Sequence, residues 1–228
     1  MSKQSKTMML YYFTKEQYAL ESLRDRRIKV ARFRELNDPF DFIGIATVNA
    51  DDLKTVKQVR EKLDESTGLL CMSKSWQQPL LWGHYADSHK GICLGFEVKK
   101  SNWKKVNYRT SRPRLSSYDK KRVAELTEQE LEEIGHIKFK AWEYEKEYRR
   151  LIPLGEPDMV NDLYFEDFGP DMILKMIYVG PRCKVDMDRL KKLRDSVGGT
   201  VVIHRTRPSN LYFKVIRSII LKPLKKAP

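Results

Sequence analysis

Cys71–Val98 reads CMSKSWQQPLLWGHYADSHKGICLGFEV, and the rest of the chain is organised around it. Gly68–Ser75 and Gly91–Val98 are apolar runs of strand length. The segment between them holds Trp76, Trp82, His84, Tyr85, Asp87 and His89. Aromatic and titratable side chains on a connection between strands can line a pocket that stacks a ring and binds polar groups. The same spacing also suits a short helix whose Trp82 and Tyr85, at i and i+3, plug the core.

The chain has 228 residues, 41% hydrophobic and 33% charged, enough to bury a core beneath a well-solvated surface. No apolar run is long enough to span a bilayer. The opening MSKQSKTMMLYYF lacks a signal-peptide pattern. Cys71, Cys93 and Cys183 are odd in number and widely spaced, and they read as reduced core thiols of a cytoplasmic protein. No CxxC or HxxxH spacing marks a zinc site. The net charge of +13 favours an anionic partner: nucleic acid, a nucleotide, or an acidic protein such as an antitoxin. Lys99–Arg122 holds ten Lys and Arg against one acid, Asp119, with Trp103, Tyr108 and Tyr118 interleaved. Cations there would neutralise phosphates and aromatics would stack on unpaired bases. Lys104, Lys105, Arg109, Arg112 and Arg114 are its expected nucleic-acid contacts.

Along the chain, strands are expected at Met8–Thr14, Ile28–Phe33, Phe42–Val48, Lys104–Arg109, Glu145–Leu154, Leu163–Phe168, Met172–Val179, Thr200–Thr206 and Leu211–Leu221, besides the two apolar runs. Helices are expected at Lys15–Arg26 with Thr14 as N-cap, at Asp51–Glu65, and at Val185–Val197. Another should run from the Thr127-x-x-Glu130 capping box to Phe139 or Trp142. Asn37-Asp38-Pro39-Phe40 is a turn. Strands in runs, without regular βαβ alternation, predict an α+β fold with a mostly antiparallel, split sheet flanked by helices. No long linker divides the chain, so one domain over 1–228 is expected, with a basic loop and helix inserted at about 99–142.

Glu143–Arg149 is the richest chemical stretch. On a strand beginning near Glu145, the side chains of Glu145, Glu147 and Arg149 share one face. Two carboxylates side by side are costly there, and Arg149 offsets part of that cost by pairing with one. Arg32, in line with Ile28 and Val30, either reaches solvent or is held inward by an anion. Ser73 and Ser75, at i and i+2, can orient a ribose or a carboxylate. The order Arg32 … Ser73-x-Ser75 … Glu145-x-Glu147 results. A metal-dependent nuclease using Asp38, Asp41, Glu145 and Glu147 is a further possibility, but Glu145-x-Glu147 lacks the Lys of the usual nuclease pattern.

Several motifs resemble a bacterial family known only as domain of unknown function 2971. They are Tyr11-Tyr12-Phe13-Thr14, Asn37-Asp38-Pro39-Phe40, Cys71-x-Ser73, Trp82-x-His84-Tyr85-Ala86-Asp87-x-His89-x-Gly91 and Trp142-x-Tyr144-Glu145-x-Glu147-Tyr148-Arg149. More remotely, the plan is similar to the ADP-ribosyltransferase superfamily, with Arg32 or Tyr12 in its first position, Ser73 or Tyr85 in its second and Glu147 in its third. The chain departs from that superfamily in two ways. No His stands in the opening strand, and Arg32 lies on the second expected strand.

That second resemblance implies an ADP-ribosyltransferase-like fold and NAD-dependent transfer of ADP-ribose to an anionic acceptor, nucleic acid, in a toxin or phage-defence setting. Glu147 would then stabilise the positive charge developing on the ribose, and Glu145 would orient or deprotonate the acceptor. Arg32 would bind pyrophosphate, and Trp82 or Tyr85 would stack on nicotinamide. Tyr12, Thr14, Asn37, Ser73 and His84 complete the expected NAD site. The alternative from the residues alone is a non-catalytic RNA- or DNA-binding module.

Overall fold

The structure, a computed structural model, describes residues 6–41, 44–158 and 163–218. In chain order the elements begin with β1 (Thr7–Thr14), α1 (Glu16–Asp25), β2 (Arg27–Val30), α2 (Ala50–Ser66) and β3 (Thr67–Ser73). Next come α3 (Pro79–Tyr85), β4 (Ile92–Lys99), β5 (Lys104–Lys105), β6 (Asn107–Arg109), α4 (Glu128–Ile134), β7 (Ile137–Phe139) and β8 (Glu147–Pro153). The last are β9 (Tyr164–Asp167), β10 (Met172–Val179), α5 (Met187–Val197), β11 (Val202–Pro208) and β12 (Val215–Arg217). The fold is α+β, with a large, mostly antiparallel sheet and helices. Backbone contacts group the chain into two compact units. The first takes the segments up to Leu10, Arg26–Lys74 and Glu97–Ile173, and the second takes Tyr11–Asp25, Ser75–Phe96 and the chain from Leu174.

In the first unit the neighbouring strands run β1-β3-β8-β5. β3 and β8 are antiparallel from Thr67↔Pro153 to Ser73↔Glu147, so Ser73 stands directly opposite Glu147. β2 pairs with β9, and β6 pairs with β7 in parallel. Asn49 caps α2, accepting hydrogen bonds from the Asp51 and Asp52 backbone amides. Val56, Val59 and Leu63, at helical spacing, pack on a core of Phe33, Ile45, Leu69, Val123, Leu126 and Ile134.

Four sequence expectations change in this unit. Among the described residues of the expected strand Phe42–Val48, only Ala46 bridges another chain segment, at Arg114, while Ile45 packs into the core; Phe42 and Ile43 lie outside the described residues. The capping box forms, with Thr127 Oγ1 accepting from the Glu130 amide and Glu130 Oε2 from the Thr127 amide. However, α4 stops at Ile134 and Gly135 caps it, so Ile137–Phe139 becomes a strand. Arg32 is not on β2; it caps a short 3₁₀ turn, Phe33–Glu35. The charged strand begins at Glu147, because Lys146 takes a left-handed φ of 47° and leaves Glu145 at the end of a 3₁₀ turn.

In the second unit the neighbouring strands run β12-β11-β10-β4-β1. β10 and β11 pair in parallel across α5, a βαβ unit within the mostly antiparallel sheet, formed from the strand, helix and strand expected there. Asp186 caps α5, and α1 packs against it. Thr14 is the last residue of β1 and α1 begins only at Glu16, so Thr14 is not the residue at the cap position. Of Leu211–Leu221, Val215–Arg217 is the strand, residues 211–214 are bends, and 219–221 lie outside the described residues.

After α3 the chain turns through three consecutive left-handed residues, Asp87, Ser88 and His89. The turn lets the His89 and Ser88 amides donate to the carbonyls of Trp82 and Gly83, closing the helix end. It also lets Gly91 approach other backbone closely. A Cβ on Gly91 would strike the Thr14 carbonyl and come within 2.9 Å of Ala86 Cα. Neither obstacle is a side chain that can swing away. Gly91→Ala is therefore expected to lower stability by about 1–3 kcal/mol. Urea denaturation checks this, and an unchanged midpoint would show that the turn moves freely.

Candidate functional site

β8 brings charge into the first unit. Its core-facing positions are Glu147 and Arg149, both buried, and Arg149 is only 1% exposed. A guanidinium has five N–H donors, and all five are used. Nε donates to Glu147 Oε1 at 2.8 Å. Nη1 donates to Asp41 Oδ1 at 3.0 Å and to the Gly135 carbonyl at 2.9 Å. Nη2 donates to Asp41 Oδ2 at 2.6 Å and to Glu147 Oε2 at 3.1 Å. Lys138, on β7, donates to two carboxylates and lies close to a third. Its Nζ lies 2.7 Å from Glu145 Oε2, 3.0 Å from Glu147 Oε2 and 3.5 Å from Asp41 Oδ2. Three carboxylates and two cations leave the buried cluster one negative charge in excess.

Several elements hold these groups. The Asn37–Phe40 turn closes through Asp38, whose Oδ1 accepts from the Phe40 amide, and it turns Asp41 inward. Ser73 Oγ donates to the Glu145 carbonyl at 2.6 Å, fixing the turn before β8. Tyr108 Oη accepts from the Glu147 amide at 2.8 Å. Burial alone would raise the Glu147 pKa, but the charges of Arg149 and Lys138 prevail and hold it at about 2. Burial would lower the Lys138 pKa, and Glu147, Glu145 and Asp41 together raise it instead. The Cys71 thiol beside Glu147 is pushed well up, chiefly by burial. Among the described residues no group of His, Cys, Asp or Glu is set to hold a metal ion. Asp41, Glu145 and Glu147 close on the two cations instead.

The sequence pointed to Glu145, Glu147 and Arg149, and Arg149 does pair with Glu147. It did not reveal that Asp41 shares that arginine, or that Lys138 takes Glu145. The only local signal for Lys138 is a lone cation between Ile137 and Phe139 on a strand.

Arg32 is held inward by a carboxylate of the protein itself. Its Nη2 lies 3.1 Å from Asp64 Oδ2, and its Nε donates to the Asp64 carbonyl. Asn37 is exposed. Lys104 is paired with Glu132 at 2.6 Å. Among the described residues Lys105, Arg109, Arg112 and Arg114 make no ion pair, and all four are exposed. Arg109 and Arg112 line a groove of about 300 Å3 that also includes Lys138.

The other expected NAD contacts fall in the second unit. Tyr12 is partly exposed and Thr14 is buried. Trp82 is fully buried, edge-on to Phe13 at 5.2 Å, with its indole N–H donating to the Trp76 carbonyl. Its aromatic surface is spent on the core. Trp76 is partly exposed and stacked on Tyr178 at 4.2 Å. His84 is exposed and Tyr85 partly so, their rings 6.2 Å apart.

No curated protein and no solved structure matches the chain. Residues 81–150 match the model of a family described as "Protein of unknown function (DUF2971)". That segment runs from α3 through Arg149 and contains both the Trp82–Gly91 motif and the Trp142–Arg149 motif. Across α3, the basic segment and the charged start of β8, this chain is similar to the DUF2971 family.

Proposed function

We propose that the protein binds nucleic acid through the basic surface of its first unit. One observation carries this reading: Lys105, Arg109, Arg112 and Arg114 are exposed and, among the described residues, have no carboxylate partner. Three other cations nearby are committed within the protein. Lys99 pairs with Asp171, Lys104 with Glu132, and Arg122 with Asp51 and Asp52. Unpaired exposed cations keep their counterions until a polyanion displaces them. Three free thiols fit a reducing, cytoplasmic setting.

Joint replacement of Lys105, Arg109, Arg112 and Arg114 by Ala is expected to weaken binding and to flatten the plot of log affinity against log salt. If each contacts one phosphate, the slope falls by about 3, from roughly 0.7–0.9 per contact. Fluorescence anisotropy across a salt series measures it. An unchanged slope would remove these four residues from the interface.

A second reading is NAD-dependent ADP-ribosyl transfer to that nucleic acid, in a toxin or phage-defence setting. It is favoured by Ser73 standing opposite Glu147 in the β3–β8 ladder, with Glu145 two residues earlier. Against it stands the occupation of both Glu147 oxygens by Arg149 and Lys138. Neutralised in this way, the carboxylate has little field left for a cationic ribose. Nicotinamide release from NAD, with and without nucleic acid, separates the two readings.

A further inference from the structure

We infer that the nucleic acid taken by the first unit is single-stranded, with an unpaired base held at the groove between Phe40 and Phe139. This rests on the nucleic-acid reading and adds the form of the ligand. Phe40 and Phe139 are 71% and 53% exposed. Both line the groove of about 300 Å3, together with Arg109, Arg112, Thr110 and Ser111. The Arg112 guanidinium lies 5.8 Å from the centre of the Phe40 ring, so cation and aromatic face form one wall. Phenyl faces, guanidiniums and hydroxyls are the groups that stack a base and hold its sugar and phosphate.

Size limits the occupant. The groove lies at the lower end of small-molecule sites, about 300–1,000 Å3, so it suits one base with its sugar rather than a dinucleotide. A second groove of about 370 Å3 shares the same Phe40–Arg112 wall, and Arg60, the exposed Leu53 and a Lys57–Glu61 ion pair line it. Two adjoining grooves with cations along both form a path for successive nucleotides of one strand. A base stacked inside a duplex cannot enter either groove without first being unpaired, at a cost.

The test compares a short labelled oligothymidylate with a duplex of equal length, binding to the full chain at low salt. The variants are Phe40→Ala/Phe139→Ala and Phe40→Leu/Phe139→Leu. Thermal melting first confirms that they fold, as expected for exposed positions. Tighter binding of the single strand is expected. Both variants should weaken it about tenfold to a hundredfold while leaving the duplex unchanged. The leucine pair retains apolar bulk, so its failure to rescue would identify stacking. If both nucleic acids bind and neither variant alters the single-strand affinity, this inference falls while the nucleic-acid reading stands. If neither nucleic acid binds the unaltered protein, both fall.

Discussion

Arg149→Met is expected to lower the unfolding free energy by about 3–5 kcal/mol, the usual result of removing one partner from a buried ion pair. Total stabilities of about 5–15 kcal/mol make this a large fraction. Methionine fills much of the volume, so the loss reports charge rather than a cavity. Asp41 and Glu147 would lose their shared guanidinium, and Lys138, which lies near both, already serves Glu145. Arg149→Lys should not restore stability, because three donors on a point charge cannot replace five donors in a planar fork. Adding Asp41→Asn to Arg149→Met should recover part of the loss, since the added change removes the charge of a carboxylate that the first deprived of its arginine. Urea denaturation of the single and double variants gives the coupling. A loss below about 1 kcal/mol for Arg149→Met would place it among ordinary surface pairs and refute the cluster's structural weight.

Glu147→Gln is the second large effect. Either amide orientation aims an NH2 group at a cation, Arg149 Nε on one side or Lys138 and Arg149 Nη2 on the other. About 3 kcal/mol of stability should be lost at neutral pH. Of the two expectations from sequence, crowding of two carboxylates predicts a neutral or stabilising change, and an ion pair with Arg149 predicts a loss. The cations between them reverse the sign.

The pH dependence follows from the depressed pKa. Glu147 titrates at about 2 in the folded protein, below its ordinary value of 4.5. Its stabilisation is therefore present above pH 4.5 and is lost as pH falls towards about 2. The stability gap between wild type and variant should narrow across that window. Burial also holds the His136 pKa below 6.5, so its contribution is lost on acidification from a higher pH, equally in both proteins. A gap independent of pH would show that Glu147 is not ionised in the cluster.

The same variant tests the catalytic reading. If the protein turns over NAD, losing a preorganised charge should slow it by about a hundredfold at constant folded fraction. A stable variant with full turnover would remove Glu147 from the chemistry.

The sequence determined the local elements. Alternating or continuous apolar runs marked β1, β3, β4 and β10, and the Thr127–Glu130 box marked the start of α4, because those signals act over a few residues. It also marked Glu145, Glu147 and Arg149 as unusual, since charge on an inward-facing strand position needs a partner. Tertiary structure decided which partner. Asp41 lies 108 residues from Arg149 along the chain, and no periodicity records that meeting. Lys146 entering the left-handed region moved Glu145 off the strand, a choice fixed where the Lys74 amide donates to the Lys146 carbonyl. Trp82 and Trp76 look alike in sequence, yet packing buried the first and left the second partly open. Seven of the ten cations of Lys99–Arg122 likewise show one composition and two fates. Glu132, Asp171, Asp51 and Asp52, brought near by the fold, neutralise Lys104, Lys99 and Arg122, while Lys105, Arg109, Arg112 and Arg114 keep an exposed charge. Charge is written in the sequence, but its availability depends on where the folded backbone places the opposite charge, because ion pairing acts over a few ångströms of space rather than along the chain.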